Sequence, residues 1–415
     1  MSYVYSRLQS TSSRASRSLC TRPRLFLAVL TLLIASVLVV GGHYLVWGTR
    51  VSYRTFQFTS IADTVCDDVP NTSPVTATTT NPPTIPNLVH YVWLLKDPSE
   101  LRLTFKVFIS IYSAHLFWQP ERIYIHTDAT PSVIEHARAN GTPWTRRILA
   151  IPNLIFHHID VPMRTAKGVE IKWTEHKADF LRLAALREFG GVYLDTDAIP
   201  LRDAADLRAS GFRNVVGQQL GLAVWATNYL NNGVMMAARG STLMTLFHHA
   251  AHEFFDGEWD TASIRLLTDL GNRLAAIPGE VLILQPQAFS PLSWQEEDQK
   301  RLFLPTLDPA TAAPVSGGGN QTGLVVGRGT CKDVLAWVKQ RERREREAGE
   351  LDLSSSYVLH AFDNGFEDFL GKGKEIDVGY VLDRRSNYAR AVFPAVWHAV
   401  QEGVIPKEEV RWQTR

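Results

Sequence analysis

Asp195 and Asp197 stand one residue apart, directly after Val192, Tyr193 and Leu194, a short run of apolar, β-prone side chains. Two carboxylates this close raise each other's pKa unless a cation lies beside them, so the pair is a candidate for chemistry. As the end of a buried strand, it falls where α/β sheets place ligand crevices, and strand alternation turns both acids to one face. A hard divalent ion such as Mn²⁺ or Mg²⁺ suits these oxygens and can bridge them to a diphosphate. An ion held this way neutralises a departing pyrophosphate. The plainer alternative leaves both acids in water, capping a turn before Pro200.

The elements around the pair are legible. His176 to Phe189 reads as a helix that Gly190 and Gly191 terminate before the strand begins. On it, Asp179 and Arg182 are spaced i, i+3; as a surface ion pair they would contribute about 0.2–0.5 kcal/mol. Facing a ligand, Asp179 would accept hydrogen bonds from sugar or ribose hydroxyls while Arg182 offers a planar donor fork. In LNNGVMMAARG, 230–240, Asn231 and Asn232 both donate and accept, and Gly233 admits a close backbone approach. The same tripeptide is also compatible with a turn leading into a strand. HHAAHE, 248–253, sets His248 and His252 on one helical face, but His249 stands where a metalloprotease needs Glu. No cysteine cluster accompanies any histidine, so tetrahedral zinc chemistry has no support.

The series His176, Asp179, Arg182, Leu186, Gly190, Gly191, Tyr193, Asp195, Asp197 resembles, without a gap, the signature of glycosyltransferase family 32, which includes fungal Golgi mannosyltransferases and α1,4-galactosyltransferases. The resemblance implies a GT-A fold, a Rossmann-like mixed sheet flanked by helices. It further implies a nucleotide-sugar donor, a GDP- or UDP-hexose, and transfer with retention to a glycan or glycolipid acceptor. Asp197 becomes the principal metal ligand, with Asp195 between metal and donor, and Asp179 and Arg182 hold the sugar. The backbone of His90 to Trp93 lines the base pocket, Tyr193, Asn231 and Asn232 flank the donor, and His360, in SYVLHAFDNGF (356–366), approaches the metal or diphosphate. For Tyr91, Trp93 and His360, ordinary core packing is the alternative.

At 415 residues, 45% apolar and 20% charged, the chain can bury one large domain or two ordinary ones. The first 24 residues hold five arginines and no acid, so the remainder, with 38 basic against 42 acidic residues, is net acidic. That charge balance argues against a nucleic-acid partner. Residues 25–48 carry no formal charge and are long enough, as a helix, to cross a hydrocarbon core of about 30 Å. A cleaved signal peptide would have a shorter apolar region, of about 7–15 residues. Arginines before the span place 1–24 in the cytoplasm and the bulk of the chain in the lumen, a type II membrane topology suited to the Golgi. Residues 49–86, rich in Pro and Thr towards their end, read as a stem.

Cys66 and Cys331 would share the lumen and could pair, whereas Cys20 lies beside the membrane. Asn71, Asn140 and Asn320 open glycosylation triplets, the first two weakened by a following proline. The catalytic domain is expected over 87–400, followed by a tail over 401–415. Strands are predicted over 85–94, 122–128 and 154–160, with a helix over 99–117. The charged segment 331–350 reads as a surface helix, and the glycines 317–319 as a flexible insertion. Two other classes stay open: a phosphotransferase with Asp195 as nucleophile, although Ile199 stands where Thr or Val is expected, and a membrane-tethered sugar-binding protein without catalysis.

Overall fold

A mixed seven-stranded sheet and a separate two-stranded sheet position the site. In the computed structural model the described residues are 29–39, 62–68, 84–220, 229–308, 349–363, 370 and 375–410. The chain divides into units 1–57 and 58–415. Of the first, the helical stretch 29–39 is described, with its large apolar side chains exposed. No helix among the described residues is long and apolar enough to cross a membrane. The remainder of the expected anchor 25–48, the tail 1–24 and most of 49–86 lie outside the described residues. So do Cys20, Cys331, the Cys66 side chain, Asn71, Asn320, the glycines 317–319 and nearly all of 331–350.

In the second unit the sheet comprises β1 (Leu88–Val92), β2 (Arg122–Thr127), β3 (Leu154–His158), β4 (Gly191–Leu194), β6 (Asn214–Gln218), β7 (Leu230–Ala237) and β8 (Val281–Leu284). Their spatial order is β3-β2-β1-β4-β7-β6-β8. Strands β3, β2, β1 and β4 run parallel, and β7 is antiparallel to both its neighbours. A two-stranded sheet pairs β5 (Ala198–Pro200) with β9 (Val358–His360), setting Ala198 opposite His360. The order reverses between β1 and β4, and at such a switch point the carboxyl ends of the strands open a crevice. The D-x-D pair lies at the end of β4.

Helix α1 (Phe105–Trp118) links β1 to β2, and α2 (Pro131–Asn140) with α3 (Pro143–Leu149) links β2 to β3. Helix α4 (Thr174–Phe189) precedes β4, and α5 (Thr242–Phe254) follows β7. Thr104, Thr130, Thr142 and Ser241 cap α1, α2, α3 and α5 by accepting main-chain N–H groups, as short hydroxyl side chains do at helix starts. The expected helix over 99–117 therefore starts later, where Thr104 can cap it.

The two sheet faces differ. Val89, Tyr91, Ile123, Ile125, Val192 and Leu194 join α1 in the main apolar cluster. Alternation turns His90, Tyr124, His126 and Tyr193 the other way, where α4 crosses β1, β4 and β7. Residues after 401, expected as a tail, fold back instead: Ile405 is fully buried and Glu409 pairs with Arg147 at 2.5 Å.

Candidate active site

Gly190 ends α4 with φ of 68°, its N–H bonded to the Leu186 carbonyl at 2.9 Å. Gly191 follows with φ of 99°, and a Cβ there would fall 2.6 Å from the Leu88 carbonyl oxygen. Only glycines let the chain reverse this tightly beside β1. The Asp195 N–H then bonds the Gly233 carbonyl at 2.8 Å, and the Asp195 carbonyl accepts the Ala198 N–H at 2.9 Å. The two acids thus sit in a turn between β4 and β5. This corrects the expectation of strand alternation: the turn, together with β9 alongside, brings the carboxylates together. They are partly exposed, at 27% and 25%, neither fully in water nor sealed in the core.

His360 completes the group. Ligating atoms of Asp195, Asp197 and His360 all lie within 4.8 Å of one another. Nε2 of His360 is 3.8 Å from Asp195 and 3.4 Å from Asp197. Its Nδ1 lies 3.1 Å from Asn231 Oδ1, which also accepts the Gly233 N–H at 2.8 Å, while Asn231 Nδ2 donates to Gln219 at 2.7 Å. The oxygen is an acceptor, so Nδ1 carries a proton and Nε2 faces the carboxylates, donating to Asp197 when the ring is protonated and open to an ion when it is neutral. The segment after β9 wraps the site: Ala361 N–H bonds the Asp197 carbonyl at 3.0 Å and Asp363 N–H its carboxylate at 2.8 Å. Between them Phe362 adopts φ of 50° and stacks on the His360 ring at 4.0 Å. A bulky residue in that region is an outlier, held here by its neighbours.

Charge in this group is shared. Burial disfavours ionisation of both Asp197 and His360, yet His360 and the Asp363 N–H hold Asp197 below the ordinary carboxylate range. Asp197 and then Asp195 hold His360 above the ordinary histidine value. Two carboxylates and one imidazole nitrogen converging at these distances fit a borderline-hard divalent ion such as Mn²⁺. Such an ion would occupy the position whose positive charge the imidazolium otherwise supplies.

Beside this cluster Arg182 is buried, 5% exposed, and ties together four partners. It lies 3.1 Å from Asp195 and 3.3 Å from Asp179, donates to the Asn232 carbonyl at 2.8 Å, and sits 4.6 Å over the Tyr193 ring. Burial alone would lower its pKa, but Asp195, Tyr193 and Asp179 together raise it. Tyr193 donates its hydroxyl to Asp195 at 2.7 Å, and the Asn232 side chain donates to Asp179 at 2.8 Å. Burial pushes Asp179 up to about 6, against the opposing pull of Arg182. The surface ion pair considered from spacing alone does not describe Asp179 and Arg182, which belong to one half-buried network with the acids.

Asn231, Asn232 and Gly233 all lie within β7, so the turn alternative does not hold. A Cβ on Gly233 would meet His360, Asp195 and Asn231 at 2.5, 2.6 and 2.9 Å, which explains the residue. Trp93 is half-buried just past β1, its N–H on the His126 carbonyl at 2.9 Å. The side chain of His90 is fully buried, so only its backbone is left to face a base pocket. Its Nε2 donates to the Gly190 carbonyl at 2.8 Å and its Nδ1 meets His126 at 3.0 Å, with His157 next at 2.9 Å. Sequence reasoning missed Gln219, which orients Asn231, and the His126–His157 continuation; their residue types alone carry no signal.

Residues 109–217 match the family model described as "Glycosyltransferase sugar-binding region containing DXD motif". The chain is 27% identical over 226 residues to glucan organizing enzyme 1 of Cryptococcus neoformans var. grubii, covering 52% of this chain and 57% of that protein. It is 31% identical over 151 residues to the human lactosylceramide 4-alpha-galactosyltransferase, covering 33% and 39% respectively. The chain therefore spans about half the length of the curated relatives it matches. Among solved structures, the PaToxG glycosyltransferase overlaps 48% of this chain and 72% of its own, with 17% identity and a TM-score of 0.33.

Proposed function

We propose that this chain, which carries a DXD-containing glycosyltransferase sugar-binding region over residues 109–217, is a metal-dependent retaining hexosyltransferase of the GT-A type. The observation that carries the reading is the convergence of Asp195, Asp197 and a tautomer-fixed His360 beside the Asp179–Arg182 pair. A divalent ion, Mn²⁺ or Mg²⁺, held by the first three would supply charge neutralisation for a leaving nucleoside diphosphate. Asp179 and Arg182 orient the hexose, and Asn232 and Tyr193 keep those groups aimed. Transfer breaks the bond from the anomeric carbon to the phosphate oxygen and forms one to an acceptor hydroxyl on the same face. The acceptor's proton leaves with the diphosphate.

The donor is a GDP- or UDP-hexose carrying mannose or galactose, and the acceptor a glycan or glycolipid. The apolar span at 25–48, the preceding arginines and the Pro/Thr-rich stretch support a Golgi type II membrane protein with this domain lumenal. A phosphotransferase with Asp195 as nucleophile fits less well, because Arg182 and Tyr193 already engage that carboxylate. The test is Mn²⁺-dependent hydrolysis of a panel of UDP- and GDP-hexoses by the full-length chain. Asp197→Ala should abolish it without unfolding the protein; retention of more than about a tenth of the rate would remove the metal assignment.

A further inference from the structure

Two segments far apart in the chain supply the candidate metal ligands: the turn between β4 and β5, and the end of β9. Helix α1 touches both. Ser110, fully buried on α1, donates its hydroxyl at 2.6 Å to the carbonyl of Ala198, the residue directly after Asp197. Lys106 stands four residues earlier, on the same face of the helix and one turn nearer its start. Its ammonium lies 2.5 Å from the carboxylate of Asp363, three residues past His360. One face of α1 thus holds the exit of the D-x-D turn and the exit of β9.

Lysine runs against the local rule here. Thr104 caps α1, so Lys106 occupies the second helical position, where the helix dipole favours acids and opposes a cation. An exposed ion pair would contribute little in return. This one is largely shielded, with the lysine 26% and the aspartate 18% exposed, and Asp363 has a second polar group on the site: its N–H binds the Asp197 carboxylate at 2.8 Å. Between Asp363 and His360 the chain passes through Phe362 at φ of 50°, a conformation that a bulky residue keeps only when its surroundings impose it. The Asp363 carboxylate does not join the three side chains whose ligating atoms converge.

We propose that Lys106 is a positioning residue for the metal site. By clasping Asp363 it holds the Phe362 segment against Asp197 and His360, and it keeps a third carboxylate turned away from the ion. The inference rests on the metal-dependent reading above and deepens it. Its effect has a sign that charge alone would not give. Deleting a cation near a divalent-ion site tightens the ion electrostatically, whereas deleting a clasp that orders the ligands loosens it.

The test uses the full-length chain with Lys106→Met, Lys106→Arg, and the charge exchange Lys106→Asp with Asp363→Lys. Hydrogen–deuterium exchange of the metal-free protein reads the clasp directly, because the N–H groups of Ala361 and Asp363 both bond Asp197. In Lys106→Met these amides should exchange about fivefold faster, the size expected for loss of a half-shielded ion pair, with the rest of the sheet unchanged. Lys106→Arg should exchange as the parent does. Mn²⁺ affinity, by titration calorimetry, should weaken about 3- to 10-fold in Lys106→Met, one step behind partners that bond a ligand directly, and recover in the charge-exchanged pair. Parental exchange rates in Lys106→Met, an affinity at or above the parent's, or no recovery in the exchanged pair would each overturn the proposal. A parent that binds no Mn²⁺ would instead remove the metal reading, and the exchange rates of metal-free protein would still judge the clasp.

Discussion

Asn231 Oδ1 lies 3.1 Å from Nδ1 of His360 and fixes which nitrogen of that ring carries the proton. The amide does so because its own orientation is pinned twice, by the Gly233 N–H at 2.8 Å and by Gln219 at 2.7 Å. Residues behind a metal ligand typically govern affinity by about 10- to 100-fold when removed. Asn231→Leu should therefore weaken Mn²⁺ binding by that factor with the fold intact, as titration calorimetry on both proteins would show. An unchanged affinity would mean that His360 is not a ligand.

Gly233→Ala tests the closeness of β7 to the cluster. The added methyl group would press on His360 and Asp195, both pinned by other bonds, so neither can swing away cheaply. Overpacking of this kind costs about 1–3 kcal/mol. We expect a lowered Tm and at least a tenfold loss of Mn²⁺ affinity; a variant with parental affinity would place the metal elsewhere.

Arg182→Lys keeps the charge but loses the fork that reaches Asp195, Asp179 and the Asn232 carbonyl together. A lysine ammonium cannot span all three. Nucleotide-sugar hydrolysis should fall by about 10- to 100-fold, mostly in kcat/KM, since a buried network loses part of its pairing. Kinetics within twofold of the parent would relegate Arg182 to packing.

Acid should destabilise the domain through histidines far from the cluster. Burial lowers His90 to about 4 and His126 to about 3, and burial followed by Arg187 and neighbouring histidines lowers His248 to about 3. Each is neutral in the folded chain while its unfolded counterpart takes up a proton below about pH 6.5. The unfolded state then binds more protons, so stability is full above that pH and declines from pH 6.5 towards 4, by a few kcal/mol in order of magnitude. Calorimetric Tm values between pH 7.5 and 5 should show the fall, with a shallower slope in His126→Leu. A flat profile would contradict the buried, neutral assignment.

Local pattern determined a good deal here. The glycine pair that stops α4 and the β-prone run before Asp195 both follow from neighbours in the chain. So did the nomination of Asp179, Arg182, Asp195 and Asp197 as one group, because their spacing links a helix face to a strand end. Their convergence was decided elsewhere. His360 reaches the acids because β9 pairs with β5 across 162 positions, Ala198 opposite His360, and Asn231 reaches His360 because β7 enters the sheet antiparallel beside β4. The His90 side chain shows the same dependence: alternation along β1 turns it into the core under α4. Side-chain type and short spacing are written in the chain, whereas long-range register and the facing of each strand arise only when distant segments bury their apolar sides together.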